Sequence, residues 1–142
     1  MTLRRRDRGA ITLEAVILTP ILAGLLSTAI AFGRVAAATS NVDAAAYAAA
    51  RAASLQRSAA AARTSAQAAA AESLDQSGLR CTAMAVDTDA TQYARPAGTP
   101  AAVTVQISCT VSLADLVVPG MPGSKTITGQ AVSSIDSFRG RS

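Results

Sequence analysis

The chain has 142 residues, room for one domain and too few for two ordinary ones. Half of it is hydrophobic, but 34 residues are Ala and aromatics make up only 3%, so a compact globule built from the whole chain is not expected: Ala buries little area at roughly 25 cal/mol per Å². The absence of His removes the Ser-His type of triad and the commonest metal ligand, and the net charge of +4 is mostly a tag of Arg4, Arg5, Arg6 and Arg8 against Asp7.

Behind that tag, residues 10–33 carry a single charge, Glu14. The run is long enough to cross about 30 Å of hydrocarbon as a helix rising 1.5 Å per residue. Four Arg before it and one, Arg34, after it set the N-terminus in the cytoplasm and the rest of the chain outside. Pro20 removes one helical hydrogen bond and is expected to kink the helix. A cleaved secretory signal is the competing reading, with small residues at Val35 to Ala38, although the run is long and an acid inside it is unusual.

An acid at the head of a membrane helix is costly unless neutralised. Glu14 lies four residues after Ala10, and Gly9 precedes Ala10. Cleavage between Gly9 and Ala10 would free an amine one helical turn from the carboxylate, on this or a neighbouring subunit, and each would neutralise the other in lipid. The bland alternative is a Glu14 that simply sits among headgroups. RRRDRG followed by AITLEAVILTP resembles a type IV prepilin leader. More narrowly, RGAITLEAVILTPILAGLLSTAIAFGRV, with its Pro20 and its Phe32, Gly33 and Arg34, resembles the N-terminus of TadE-like proteins, pseudopilins of Flp/Tad pilus systems. One departure is Ala15, where the tight-adherence pilin pattern usually has an aromatic after the Glu. The resemblance implies a pilin-like fold, processing by a prepilin peptidase and a part in pilus assembly.

Between Val35 and Ser77 there is no Gly or Pro, and 20 of the 36 residues from Ala36 to Ala71 are Ala, the strongest helix former. One continuous helix from about Ala10 to Leu74 is expected, roughly 95 Å long, with Gly78 as its stop. Asn41 and Asp43 mark an alternative break near the membrane exit. An Ala face suits close lateral packing of helices, or packing of the stalk on its own C-terminal domain.

After Gly78 the period changes. Val103, Val105, Ile107, Cys109, Val111 and Leu113 alternate with polar residues, the pattern of a half-buried strand. Leu79 to Val86 reads as a shorter strand before it and Lys125 to Ile135 as a third, with a bulge expected at Gly129. The fold class is therefore α+β: a long N-terminal helix followed by a small three-stranded antiparallel meander packed on the helix end. A hairpin folded symmetrically about Ala94 and Arg95 sets Cys81 directly opposite Cys109, and an exported domain is where such a disulfide forms. Two free buried thiols are the alternative.

Little here resembles an active site. Asp87 and Asp89 form a loop DxD without the rest of a calcium-loop pattern. No metal, cofactor or nucleic acid is expected, and no enzyme activity. The expected organisation is a cytoplasmic basic leader at 1–9, a transmembrane helix at 10–33, an Ala-rich stalk at 34–77 and an exported β domain at 78–142. The expected place is the cytoplasmic membrane, single-pass, with the N-terminus inside and the C-terminal domain extracytoplasmic. The expected partners are membrane lipid and, as the resemblance implies, a prepilin peptidase, other pilins and pseudopilins, and pilus platform proteins. The alternative function is an envelope binding module, anchored or secreted, without pilin-type processing.

Overall fold

The computed structural model describes residues 7–116 and 122–137, with side chains described for 15–115 and 122–137. Helix α1 runs unbroken from Asp7 to Ser54, 48 residues, about 72 Å at the α-helical rise. The chain then reverses over Leu55–Ser58, and α2 occupies Ala59–Gln76. Strands β1 (Ala83–Asp89), β2 (Ala101–Ser112) and β3 (Ser124–Ile135) form an antiparallel meander in the order β1-β2-β3. A 3₁₀ turn, Thr91–Ala94, lies in the β1–β2 connection, and α3 (Leu113–Leu116) opens the β2–β3 connection. The α+β architecture and the meander are as expected. The single 65-residue helix is not.

The reversal follows from what the Ala-rich stretch has to bury. A straight rod of Ala would leave its small apolar face in water. Folded into a hairpin, Ala62, Ala66, Ala70 and Leu74 of α2 form one buried row, and Val42, Ala46, Ala49, Ala50 and Ala53 of α1 are buried with them. Spacing of four residues puts that α2 row on a single face. Ser58 begins α2 with an extended backbone, and its hydroxyl accepts from the Ala61 N–H at 3.2 Å, a side-chain N-cap. The far end of α2 has the expected stop: Gly78 sits at φ +69°, its N–H bonds the Asp75 carbonyl, and the Leu79 N–H bonds the Leu74 carbonyl. That pair of bonds is the Schellman pattern, which needs a left-handed residue at this position.

Both helices cover one face of the sheet. Helix α1 lies against β2 and β3, and α2 lies against β1. The inner face of β2, from Val103 through Val111, is wholly buried, and Ile127, Ala131 and Ile135 of β3 extend it. The β2–β3 register is uniform, with Ile107 opposite Gly129, so no bulge exists at Gly129. The absence of a side chain there has another cause. A Cβ on Gly129 would lie 3.0 Å from the Val42 carbonyl carbon and oxygen and 2.8 Å from Asp43 Oδ1. Gly129 is a point of close approach between helix backbone and sheet backbone, and it marks α1 as a central packing element of the head.

Cys81 and Cys109 are disulfide-bonded, with Cα atoms 5.3 Å apart. The route differs from the symmetric hairpin. In the ladder, Met84 is the residue opposite Cys109, three positions further on, and Cys81 precedes β1 altogether. The bond instead ties the α2–β1 connection to the inner face of the middle strand. Next to it, the Thr82 N–H donates to the Thr110 carbonyl at 2.7 Å.

Candidate membrane and assembly segment

The described part of α1 contains a stretch long and apolar enough to cross a membrane. Its side chains project freely all round: Val16 is 70% exposed, Leu25 64% and Phe32 72%, with Ile17, Leu18, Ile21, Leu22, Leu26 and Ile30 also exposed. Large apolar residues lie on every side of this stretch and no other described element covers them, a pattern that suits a lipid environment. The polar residues in this stretch satisfy themselves. Thr19 Oγ1 donates to the Ala15 carbonyl at 2.6 Å, Ser27 to Ala23 and Thr28 to Gly24, each at 2.8 Å. Such bonds to the preceding turn leave no hydroxyl hydrogen exposed to hydrocarbon. Pro20 lies within α1 and brings no N–H for the Val16 carbonyl. Gly9, Ala10 and Glu14 fall in the first turns of α1, where only the backbone is described; the Glu14 side chain lies outside the described residues, as do residues 1–6.

Burial begins where the apolar run ends. Ala31 and Val35 are half-buried, and Ala38 and Val42 are buried, a stripe on one face of the helix. The same rod thus passes from a bare apolar stretch into the core of the head without a linker. Its upper end is held by a residue that sequence reasoning did not single out: the Tyr93 hydroxyl donates to the Ala53 carbonyl at 2.5 Å, 40 positions away in the chain. The same carbonyl also accepts from the Gln56 N–H at 3.0 Å, so the last turn of α1 is held from both its own chain reversal and the β1–β2 connection. Nearby, Ser133 Oγ and Ser54 Oγ are 3.0 Å apart, joining the top of β3 to the top of α1. A lone Tyr in a polar loop, TQYAR, was the only signal.

Asp89 is a turn residue. Its carboxylate accepts from the Thr91 hydroxyl at 2.7 Å and the Thr91 N–H at 3.0 Å, and these bonds hold its pKa below the ordinary value, with Arg63 a lesser contributor. Among the described residues no group of three or more His, Cys, Asp or Glu side chains is placed to hold a metal ion. A depression of about 20 Å³ beside Tyr93, Pro96 and Asp136 has room for about one water.

Comparison with curated proteins and with solved structures gives no match. Residues 9–51 match the family model described as TadE-like protein, a likeness that covers α1 from Gly9 nearly to its end.

Proposed function

We propose that this chain is a membrane-anchored pseudopilin-type subunit that takes part in Flp/Tad pilus assembly. The TadE-like match over residues 9–51 carries the reading, and it falls on the helix that joins a bare apolar span to a packed head. In this reading a prepilin peptidase cuts between Gly9 and Ala10, leaving the leader in the cytoplasm and the head outside. The Glu14 carboxylate then meets the new amine of Ala10, in the same or an adjacent subunit, and draws helices together in the bilayer, where an unpaired charge is expensive. The partners are other pilins and pseudopilins and the proteins of the assembly platform. The role is structural.

The mature N-terminus tests this. Mass spectrometry of protein extracted from the native membrane should find a chain that begins at Ala10. An intact Met1, or a start near Thr39, would refute pilin-type processing and leave an anchored or secreted envelope binding module. Glu14→Ala should insert in the membrane normally and lose most of its co-purifying partners; normal assembly by that variant would remove the role given to Glu14.

A further inference from the structure

Both helices lie on one face of the sheet, and no described helix covers the other. That open face holds the even-numbered positions of β2 and β3 and the odd-numbered positions of β1, since the alternate positions are the ones turned to the helices. Eight of its sixteen residues are Ser or Thr, and none is Lys, Arg or aromatic. Its two charges, Asp87 and Asp89, are both on β1, and Asp89 is engaged by the Thr91 hydroxyl and N–H. Thr110 Oγ1 and Thr126 Oγ1 are 3.0 Å apart across it, and Val132 stands on it 60% exposed. Two charges in sixteen is well below the roughly 25–35% of a surface built only to face water.

The ladder fixes the levels on this face. Asp87, Gln106 and Gln130 form one cross-strand row, and Ala85, Ser108 and Thr128 form the next in the same order. Its direction is fixed by α1. Gly129 meets α1 at Val42 and Asp43, and Ser133 meets Ser54, so β3 runs with α1 and away from the apolar stretch. Two copies in one bilayer have their spans in the same sense. Only a two-fold axis along the strands then brings two such faces together, and it sets β1 of one copy over β3 of the other at equal height. Gln106 meets its counterpart on the axis. Asp87 meets Gln130 of the second copy, whose amide can donate to the carboxylate, and small Ala85 faces Thr128. An inverted pairing would instead set β1 over β1 and Asp87 against Asp87. We infer that the open sheet face is a homodimer interface, two sheets packed about 10 Å apart around a two-fold axis at Gln106 and Ser108. Three strands about 4.8 Å apart and about 40 Å long cover roughly 500 Å² on each copy. The total of about 1,000 Å² is at the low end for a specific interface, and tethering in a common bilayer raises the effective concentration that it needs. The inference rests on α1 spanning the bilayer and is independent of leader processing.

The full chain is made with one added cysteine at a time and treated with a short bismaleimide in isolated membranes, and mass mapping verifies that the Cys81–Cys109 bond stays closed. Gln106→Cys and Ser108→Cys should give cross-linked dimer, and Arg63→Cys, on the exposed side of α2, should not. Differently tagged Asp87→Cys and Gln130→Cys chains should couple to each other when co-expressed, and each to itself only weakly. Gln106→Glu sets two carboxylates together on the axis and should lower the Ser108→Cys dimer yield several-fold. Gln130→Lys, which faces Asp87, should preserve or raise it. A Gln106→Cys yield no higher than that of Arg63→Cys, self-coupling of Asp87→Cys above its coupling to Gln130→Cys, or a Ser108→Cys yield indifferent to Gln106→Glu would each overturn the interface. Alkaline carbonate extraction separates the two readings. A chain washed off the membrane removes the span and the axis with it, whereas a retained chain that fails to dimerise sinks the interface alone.

Discussion

Replacing Gly129 by Ala adds one methyl group where helix and sheet backbones come close together. The new Cβ would stand 3.0 Å from the Val42 carbonyl carbon and oxygen, which belong to helix backbone, and 2.8 Å from Asp43 Oδ1. Asp43 can swing aside, but Val42 cannot. Its helix is held in place by α2 alongside it, with Val42, Ala46 and Ala50 fully packed. Relief therefore requires the sheet to move off α1 over several residues. Overpacking of this kind costs about 1–3 kcal/mol. Gly129 does not have a positive φ, so Ala is allowed by the backbone and recovers about 0.4–1 kcal/mol through the unfolded chain. The midpoints of these ranges leave a loss of about 1.3 kcal/mol, and each kcal/mol lowers the Tm of a head this size by about 4–8 °C. The assay is thermal unfolding of the detergent-solubilised full chain, followed by the near-UV dichroism of its two tyrosines, Tyr47 and Tyr93, which both lie beyond the apolar stretch. Gln130→Ala, on the exposed face of β3, serves as the control and should shift little. A Gly129→Ala protein as stable as wild type, or more so, would refute the close-approach argument.

Other outcomes follow from features already described. Cys81→Ser should destabilise the head by about 3–4 kcal/mol in the chain-entropy model, given a separation of 28 residues, and urea unfolding of oxidised and reduced protein measures it. Tyr93→Phe removes one of the two donors to the Ala53 carbonyl, leaving the Gln56 N–H, and should cost about 1 kcal/mol, with faster amide exchange in the last turn of α1. The Asp89 carboxyl should titrate below its value in an unfolded peptide of the same sequence. Because its folded pKa is depressed, its contribution to stability is complete above the unfolded pKa and disappears as pH falls through the folded one. Carboxyl NMR measures the midpoint, and Asp89→Asn, which keeps an acceptor for Thr91 but cannot titrate, should flatten that part of the acid stability profile.

The sheet was readable because a period of two is a strong pattern: every second residue from Val103 to Val111 is buried. Its third strand was readable too, but Gly129 was misread as a bulge, since only the position of α1 explains a missing side chain inside a regular ladder. The helical reversal was harder to find. AASLQRSAA contains neither Gly nor Pro, and its one local signal is Ser58 as an N-cap. The stronger hint was energetic, for an isolated Ala rod has nothing to bury and a hairpin of Ala faces does. The disulfide was expected for an incomplete reason. Cys81 and Cys109 are the bonded pair, but the hairpin register is three residues away from the symmetric one, with Met84 opposite Cys109 and the 3₁₀ turn Thr91–Ala94 inside the β1–β2 connection. The apolar stretch of α1 was legible from its length and lack of charge, whereas the contacts of α1 with the sheet are recorded in no linear pattern.

Because α1 passes from the bare span into the middle of the head as one uninterrupted helix, the head has no swivel of its own. Its azimuth is coupled to that of the span. Inserting a single residue between Arg34 and Ala38 would rotate the head by about 100° and raise it about 1.5 Å relative to the lipid-facing turns. Any neighbour that grips the rod in the bilayer thereby also decides which side of the head it presents outside. Torque or tilt applied at one end reaches the other with little slack.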